Sequence, residues 1–208
     1  MTESRSPKSR SQESRSRGHF ERLYRSNPDP WGFATSPYEH AKYRHTLDAL
    51  PQGRFLSGLE AGCSIGVLTG MLAERCGRLV GVDIVEAPLQ AARTRCADQP
   101  KVRFERMQVP ADWPADRFDL MVFSEVLYFL SAGDIARCAG HVANTLLPGG
   151  TVVLVNWLDD AGTGTSRTGD PSAGDAGPDR FIAATKDFLR VTHQERLARY
   201  RLDLLRSA

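Results

Sequence analysis

Glu60 stands two residues before a glycine turn, Gly62-Cys63-Ser64-Ile65-Gly66, and Asp83 closes the next apolar run, Arg78-Leu79-Val80-Gly81-Val82. A glycine turn lets a ligand approach the backbone closely, and an acid ending the following strand can accept hydrogen bonds from both hydroxyls of a ribose. The order strand, glycine turn, helix, strand, acid describes a nucleoside pocket at the edge of a parallel sheet. Glu60 narrows the choice. A pyrophosphate on the turn would be repelled by a carboxylate there, and Ser64 stands where the dinucleotide pattern has its middle glycine. A donor with a sulfonium and an α-ammonium but no phosphate is attracted instead, which points to S-adenosylmethionine.

Other residues fall where such a donor would need them. Ile84 follows the acid, and Met107, Gln108 and Val109 follow the third strand, where they would flank the adenine; Gln108 has a loop-capping role as its alternative. Ser124 and Glu125 close the fourth strand at the carboxyl edge of the sheet, where ligands collect in open α/β folds. Glu125 either faces the methyl group and its acceptor or serves as a charge at a helix N-terminus. Tyr128, with Tyr38 and Tyr43, either joins the core or lines an aromatic throat that holds the sulfonium and excludes water. Trp157 ends the fifth strand, as packing or as a platform for a ring.

The elements that must position these residues alternate. Strands are expected at Phe55–Glu60, Leu79–Asp83, Val102–Met107, Phe118–Ser124 and Thr151–Trp157, and helices at Gly66–Cys76, Glu86–Ala97 and Gly133–Leu147, the last ended by Pro148-Gly149-Gly150. Apolar strands alternating with helices imply a parallel sheet covered on both faces. A turn-rich stretch, Asn27-Pro28-Asp29-Pro30-Trp31, leads into a helix from about Pro37, and residues 19–50 can fold back over the pocket as a lid. Leu158–Asp179 reads as a long loop, followed by a short helix at Phe181–Asp187 and two extended stretches, Leu189–Leu197 and Arg199–Arg206. The expected fold is α/β: a Rossmann-like, mostly parallel seven-stranded sheet with a C-terminal antiparallel hairpin and helices on both faces.

The chain has 208 residues and a formal net charge of +2, enough length for one α/β domain over residues 51–208 with the lid before it. Residues 1–18 carry five basic and two acidic side chains and almost no apolar ones, so they read as a disordered tail. Without them the body is close to neutral, which makes nucleic acid an unlikely partner. No apolar run suits a signal peptide or a membrane span, so a cytoplasmic location is expected. Cys63, Cys76, Cys96 and Cys138 lie far apart, indicating neither a zinc cluster nor a disulfide framework, and no metal is expected.

The chain resembles the class I S-adenosylmethionine-dependent methyltransferases, and within them the nodulation N-methyltransferase (NodS-type) family. The resemblance is carried by Asp29-Pro30-Trp31, Tyr38-Glu39, Lys42-Tyr43, Gly62-Cys63-Ser64-Ile65-Gly66-Val67-Leu68-Thr69, Phe118-Asp119-Leu120, Ser124-Glu125-Val126-Leu127-Tyr128, Asn156-Trp157 and Tyr200-Arg201-Leu202-Asp203. It implies methyl transfer to the free amine of an amino sugar on a chitooligosaccharide, with Trp31 among the donor-contacting residues. Two positions depart from the family pattern. Gly174-Asp175-Ala176-Gly177-Pro178 lacks the histidine of Gly-Asp-x-Val-His, and Asn156-Trp157 replaces His-Trp.

The resemblance thus implies a small-molecule acceptor, an amino sugar or glycoside. An amine needs its lone pair free, which a desolvated pocket favours, and Glu125 or Asp175 is expected to take the remaining proton. An O-methyltransferase acting on a sugar or natural product, or a catalytically silent protein that binds the donor or RNA, are the alternatives.

Overall fold

The computed structural model describes residues 13–158 and 173–208. Seven strands form one sheet in the order β3-β2-β1-β4-β5-β7-β6. They are β1 Phe55–Ala61, β2 Cys76–Asp83, β3 Val102–Arg106, β4 Phe118–Ser124, β5 Leu146–Trp157, β6 Leu189–Arg196 and β7 Tyr200–Ser207. The first five run parallel, and β7 pairs antiparallel to both β5 and β6. The expected architecture is therefore the observed one.

Helices α1 (Arg17–Ser26), α2 (Pro37–Ala49), α3 (Val67–Ala73), α4 (Glu86–Arg95), α5 (Ala132–Thr145) and α6 (Ala173–Thr185) complete the fold, with one 3-10 turn at Leu127–Phe129. Alternate residues of the central strands go to opposite faces, as the two-residue period requires. Phe123, Val152 and Leu154 pack with Ile135 and Val142 of α5 and Phe181 of α6. Leu120, Val153 and Val155 pack with Leu68 and Leu72 of α3 and Tyr43 of α2. Burial of this kind supplies roughly 1.5–3 kcal/mol per large apolar side chain.

Several boundaries differ from those read in the sequence, each for a packing reason. The expected helix Gly66–Cys76 is shorter, because Gly66 adopts a left-handed φ of +76° as the N-cap and Cys76 already pairs with Phe55 as the first residue of β2. The Pro148-Gly149-Gly150 turn lies within β5, where a register shift in the pairing with β4 accommodates it. The expected loop Leu158–Asp179 gives way to helix at Ala173; Gly177 and Pro178 sit inside α6 because Phe181 is driven into the core against Phe123, 5.3 Å between ring centroids. Residues 159–172 of that loop and residues 1–12 of the tail lie outside the described residues. Residues 13–18 are described and contact the body: the Ser14 hydroxyl donates to Asp134 and accepts from the Ser131 amide, and Arg17 opens α1.

Candidate active site

The glycine turn, the acid ending β2 and the end of β4 meet where β1 and β4 lie side by side. Chain connections diverge there to opposite sides of the sheet, which opens a crevice at the carboxyl ends of the strands. A cleft enclosing about 1200 Å³ of empty space, part of it open to solvent, occupies this place.

Gly62 has a φ of +76°, and a side chain on it would bring a Cβ within 2.4 Å of Val126 Cγ2. A Cβ on Gly66 would meet that of Ala92 at 2.8 Å, so α4 packs on the turn only because this position is glycine. Between them Ser64 takes a left-handed φ of +48°. That conformation is costly for a non-glycine residue and persists because its surroundings hold it. The Ser64 amide donates to Asp83 Oδ2 at 3.1 Å, and its hydroxyl meets the Tyr24 hydroxyl at 2.7 Å.

Two buried carboxylates face this turn. Asp83 also accepts from the Val85 amide at 2.9 Å, and burial raises its pKa to about 6 against the pull of these amides. Glu60, 2% exposed, is pushed up to about 8 by burial and, to a smaller extent, by the charge of Asp83, while the Thr69 hydroxyl pulls the other way. Glu60 Oε2 has no hydrogen-bond partner within the protein. A buried acceptor left unsatisfied costs roughly 1–3 kcal/mol, a cost that a cationic ligand in the cleft would remove.

At the other end of the cleft, Ile84, Met107, Gln108 and Val109 form a wall, with the Gln108 amide donating to Asp112 Oδ2 at 3.0 Å. Trp31, Phe33, Tyr24 and Tyr43 close the cleft from the amino-terminal side. Trp31 stacks on Phe33 at 5.5 Å and meets Tyr24 edge-on at 5.6 Å. Ser14, Arg15 and Phe20 complete the cover, anchored by the Arg15 amide on the Phe129 carbonyl at 2.9 Å and by an edge-to-face contact of Phe20 with Phe129.

Glu125 sits at the corner after β4 with a φ of +60°. Its Oε1 accepts from Lys42 Nζ at 2.5 Å, and its Oε2 accepts from the Tyr128 hydroxyl at 2.7 Å and the Trp157 amide at 3.0 Å. Lys42, 1% exposed, is also paired with Glu39 at 2.7 Å. Ser36 caps α2 through the Glu39 amide at 3.3 Å, but the Glu39 carboxylate turns to Lys42 rather than back to the cap.

Trp31, Tyr43, Glu60, Gly62, Cys63, Ser64, Asp83, Ile84, Met107, Gln108, Val109, Ser124, Glu125 and Tyr128 thus all line one cleft. Three residues expected at the site lie elsewhere. Gly66 acts behind the turn, as the cap of α3. Tyr38 packs edge-on against Trp157 at 5.9 Å and Tyr200 at 6.4 Å, drawn there by aromatic neighbours on β5 and β7. Asp175 pairs with Arg196 and Arg201, whose charges hold it on the outer end of the sheet, away from the cleft. Lys42 and Glu39 are not among the site residues expected from the sequence, where they appear only in the segments that carry the family resemblance; the structure buries both beside Glu125.

Residues 19–155 match the family described as Nodulation protein S (NodS). The chain belongs to the NodS family. It is 34% identical to Nodulation protein S of Rhizobium tropici over 130 residues, 61% of this chain and 54% of that protein. Its identity to the Sinorhizobium fredii NodS is 31% over 133 residues, 63% of this chain and 62% of that protein. The chain therefore matches less than two thirds of the length of these relatives. The crystal structure of N-methyltransferase NodS from Bradyrhizobium japonicum WM9 in complex with S-adenosylhomocysteine superimposes with a TM-score of 0.77 at 26% identity, covering 91% of this chain and 97% of that one. The fold is accordingly that of the S-adenosylmethionine-dependent methyltransferases, and NodS supplies its family. Among the described residues no helix is long and apolar enough to cross a membrane.

Proposed function

We propose that this chain transfers a methyl group from S-adenosylmethionine to an amine of a small molecule, an amino sugar or related glycoside. The observation that carries the reading is Glu60: a buried carboxylate with an unsatisfied oxygen, beside a glycine turn, in a cleft that also presents Asp83. A cationic nucleoside satisfies both acids, whereas a pyrophosphate would meet their charge. When bound, the donor supplies an activated methyl on a sulfonium. Asp83 then holds the ribose hydroxyls, Glu60 attracts the α-ammonium, and the wall of Ile84, Met107 and Val109 receives the adenine.

The residues at the end of β4 serve the acceptor side. In-line displacement from a sulfonium asks the protein mainly to orient the nucleophile and to exclude water. Trp31, Phe33, Tyr43 and Tyr128 supply an aromatic enclosure suited to both tasks. An amine arrives with its lone pair free, because a desolvated site disfavours the ammonium form. The nitrogen forms a bond to the methyl carbon as the carbon–sulfur bond breaks, and the proton of the new ammonium leaves to solvent. A solved NodS, an N-methyltransferase by description, supports the amine over a hydroxyl.

The test is titration of the protein with S-adenosylmethionine and NAD, followed by labelled methyl transfer onto a partly deacetylated chitooligosaccharide, an aminoglycoside and a phenol. Donor binding with label on the amino sugars is the expected outcome. Label on the phenol alone would make the chain an O-methyltransferase, and tight NAD binding would overturn the choice of nucleotide.

A further inference from the structure

Lys42 is an unusual residue for a helix that faces a cleft. Its ammonium is fully buried, does not line the cleft, and lies between the carboxylates of Glu39 at 2.7 Å and Glu125 at 2.5 Å. Removing such an ion from water is expensive, and an apolar residue would fill the same space at no such cost. The geometry shows what the charge achieves. Glu125 is the one member of the group that lines the cleft, and it stands at a left-handed corner that a non-glycine residue adopts only when its surroundings fix it. Lys42 occupies Oε1, leaving Oε2 turned to the Tyr128 hydroxyl and the Trp157 amide.

We propose that Lys42 is a positioning residue: clamped between Glu39 and Glu125, it holds the Glu125 carboxylate as the fixed acceptor that orients Tyr128 in the cleft and ties the ends of β4 and β5 to α2. Both Glu125 oxygens are engaged by donors, so the carboxylate orients the wall of the site and does not take the acceptor's proton. This assignment rests on the methyltransferase reading for its effect on rate, but not for its effect on structure. Besides Glu39 and Glu125, the ammonium faces the Tyr43 ring of α2, 5.9 Å from its centroid, and the Tyr200 hydroxyl of β7 feels its charge.

Two measurements test it. The first, independent of any acceptor, is amide hydrogen exchange at Trp157, whose N–H donates to Glu125. In Lys42→Met that amide should exchange at least tenfold faster, while those of Val152–Val155 in the same strand stay protected; Lys42→Arg should restore it. The second is single-turnover methyl transfer from saturating S-adenosylmethionine onto a partly deacetylated chitooligosaccharide. Lys42→Met should lower the rate at least tenfold with donor affinity within about threefold of wild type. Lys42→Met should add nothing to Glu125→Gln. Unchanged Trp157 exchange in a folded Lys42→Met protein would overturn the proposal, as would a rate that rises with removal of the cation, the result expected of a proton-accepting Glu125. Should Lys42→Met fail to fold, Lys42→Gln carries the same comparisons. If the wild type transfers no methyl group, the functional reading fails while the exchange measurement still decides the role of Lys42.

Discussion

Glu60 and Asp83 differ in what the protein itself gives them. Asp83 accepts two backbone amides, so its carboxylate is oriented before any ligand arrives, and Glu60 keeps an oxygen without a partner. Replacing Asp83 by Ala is expected to weaken S-adenosylmethionine binding by about 1.5–3 kcal/mol, read by calorimetry, since a charged hydrogen-bond partner is lost. Some destabilisation should accompany it, because the strained Ser64 loses its amide acceptor. Glu60 is expected to set the pH dependence of donor binding. Its pKa of about 8 leaves it largely protonated in the empty cleft at neutral pH, and a cation beside it favours the charged form. Donor affinity should therefore rise with pH, by up to about tenfold per pH unit for each proton released, and level off above about 8. Calorimetry in two buffers of different ionisation enthalpy reads the proton release directly. Glu60→Gln should abolish most of it, and a pH-independent affinity in the wild type would show that Glu60 does not meet the donor.

The glycine turn works as an element because α4 and the corner after β4 close upon it. Gly62→Ala should destabilise the protein by several kcal/mol in denaturant melts, combining a left-handed φ that costs about 1–2 kcal/mol with a Cβ placed 2.4 Å from Val126 Cγ2. The second substitution Val126→Ala should recover the steric part and leave the conformational part. The elements whose boundaries the sequence located well are those in which local pattern and tertiary demand agree: β4, apolar at five of its seven positions and buried in the middle of the sheet, was legible to the residue. The turn and its two acids were legible because the glycines, the strand ends and the acids lie in short, contiguous stretches of chain, and the structure brings them to one cleft. α6 was not, since glycine and proline at 177 and 178 argue against helix locally and only the seat of Phe181 against Phe123 outweighs them. Nor was the burial of Lys42, because nothing along the chain announces that residues 39, 42 and 125 converge. Tyr38 and Tyr43 looked equivalent in sequence, yet five residues on a helix turn through more than a full revolution, and only Tyr43 reaches the cleft.

At the scale of the whole molecule, the two buried acids make stability depend on pH. Both acids have folded-state pKa values raised above their unfolded ones, Glu60 from 4.5 to about 8 and Asp83 from 3.8 to about 6. A group raised in this way contributes stability below its unfolded pKa and loses it as pH climbs through the folded one. The melting temperature of the ligand-free protein should accordingly fall between about pH 4 and pH 8, most steeply between about pH 4.5 and 6, where both acids contribute, and through Glu60 alone above that. The upward shift produced by saturating S-adenosylmethionine should grow across the same interval, and Glu60→Gln should flatten both trends in thermal melts. The cleft also carries its own optical probe. The chain has three tryptophans; Trp113 lies stacked on His141 at 4.8 Å, Trp157 packs against Tyr38, and only Trp31 borders the cleft. An adenosine or methionine moiety entering beside Phe33 changes the surroundings of one indole out of three, so a fractional change in intrinsic emission reports occupancy without label or acceptor, and Trp31→Phe should silence it while Trp113→Phe leaves it in place.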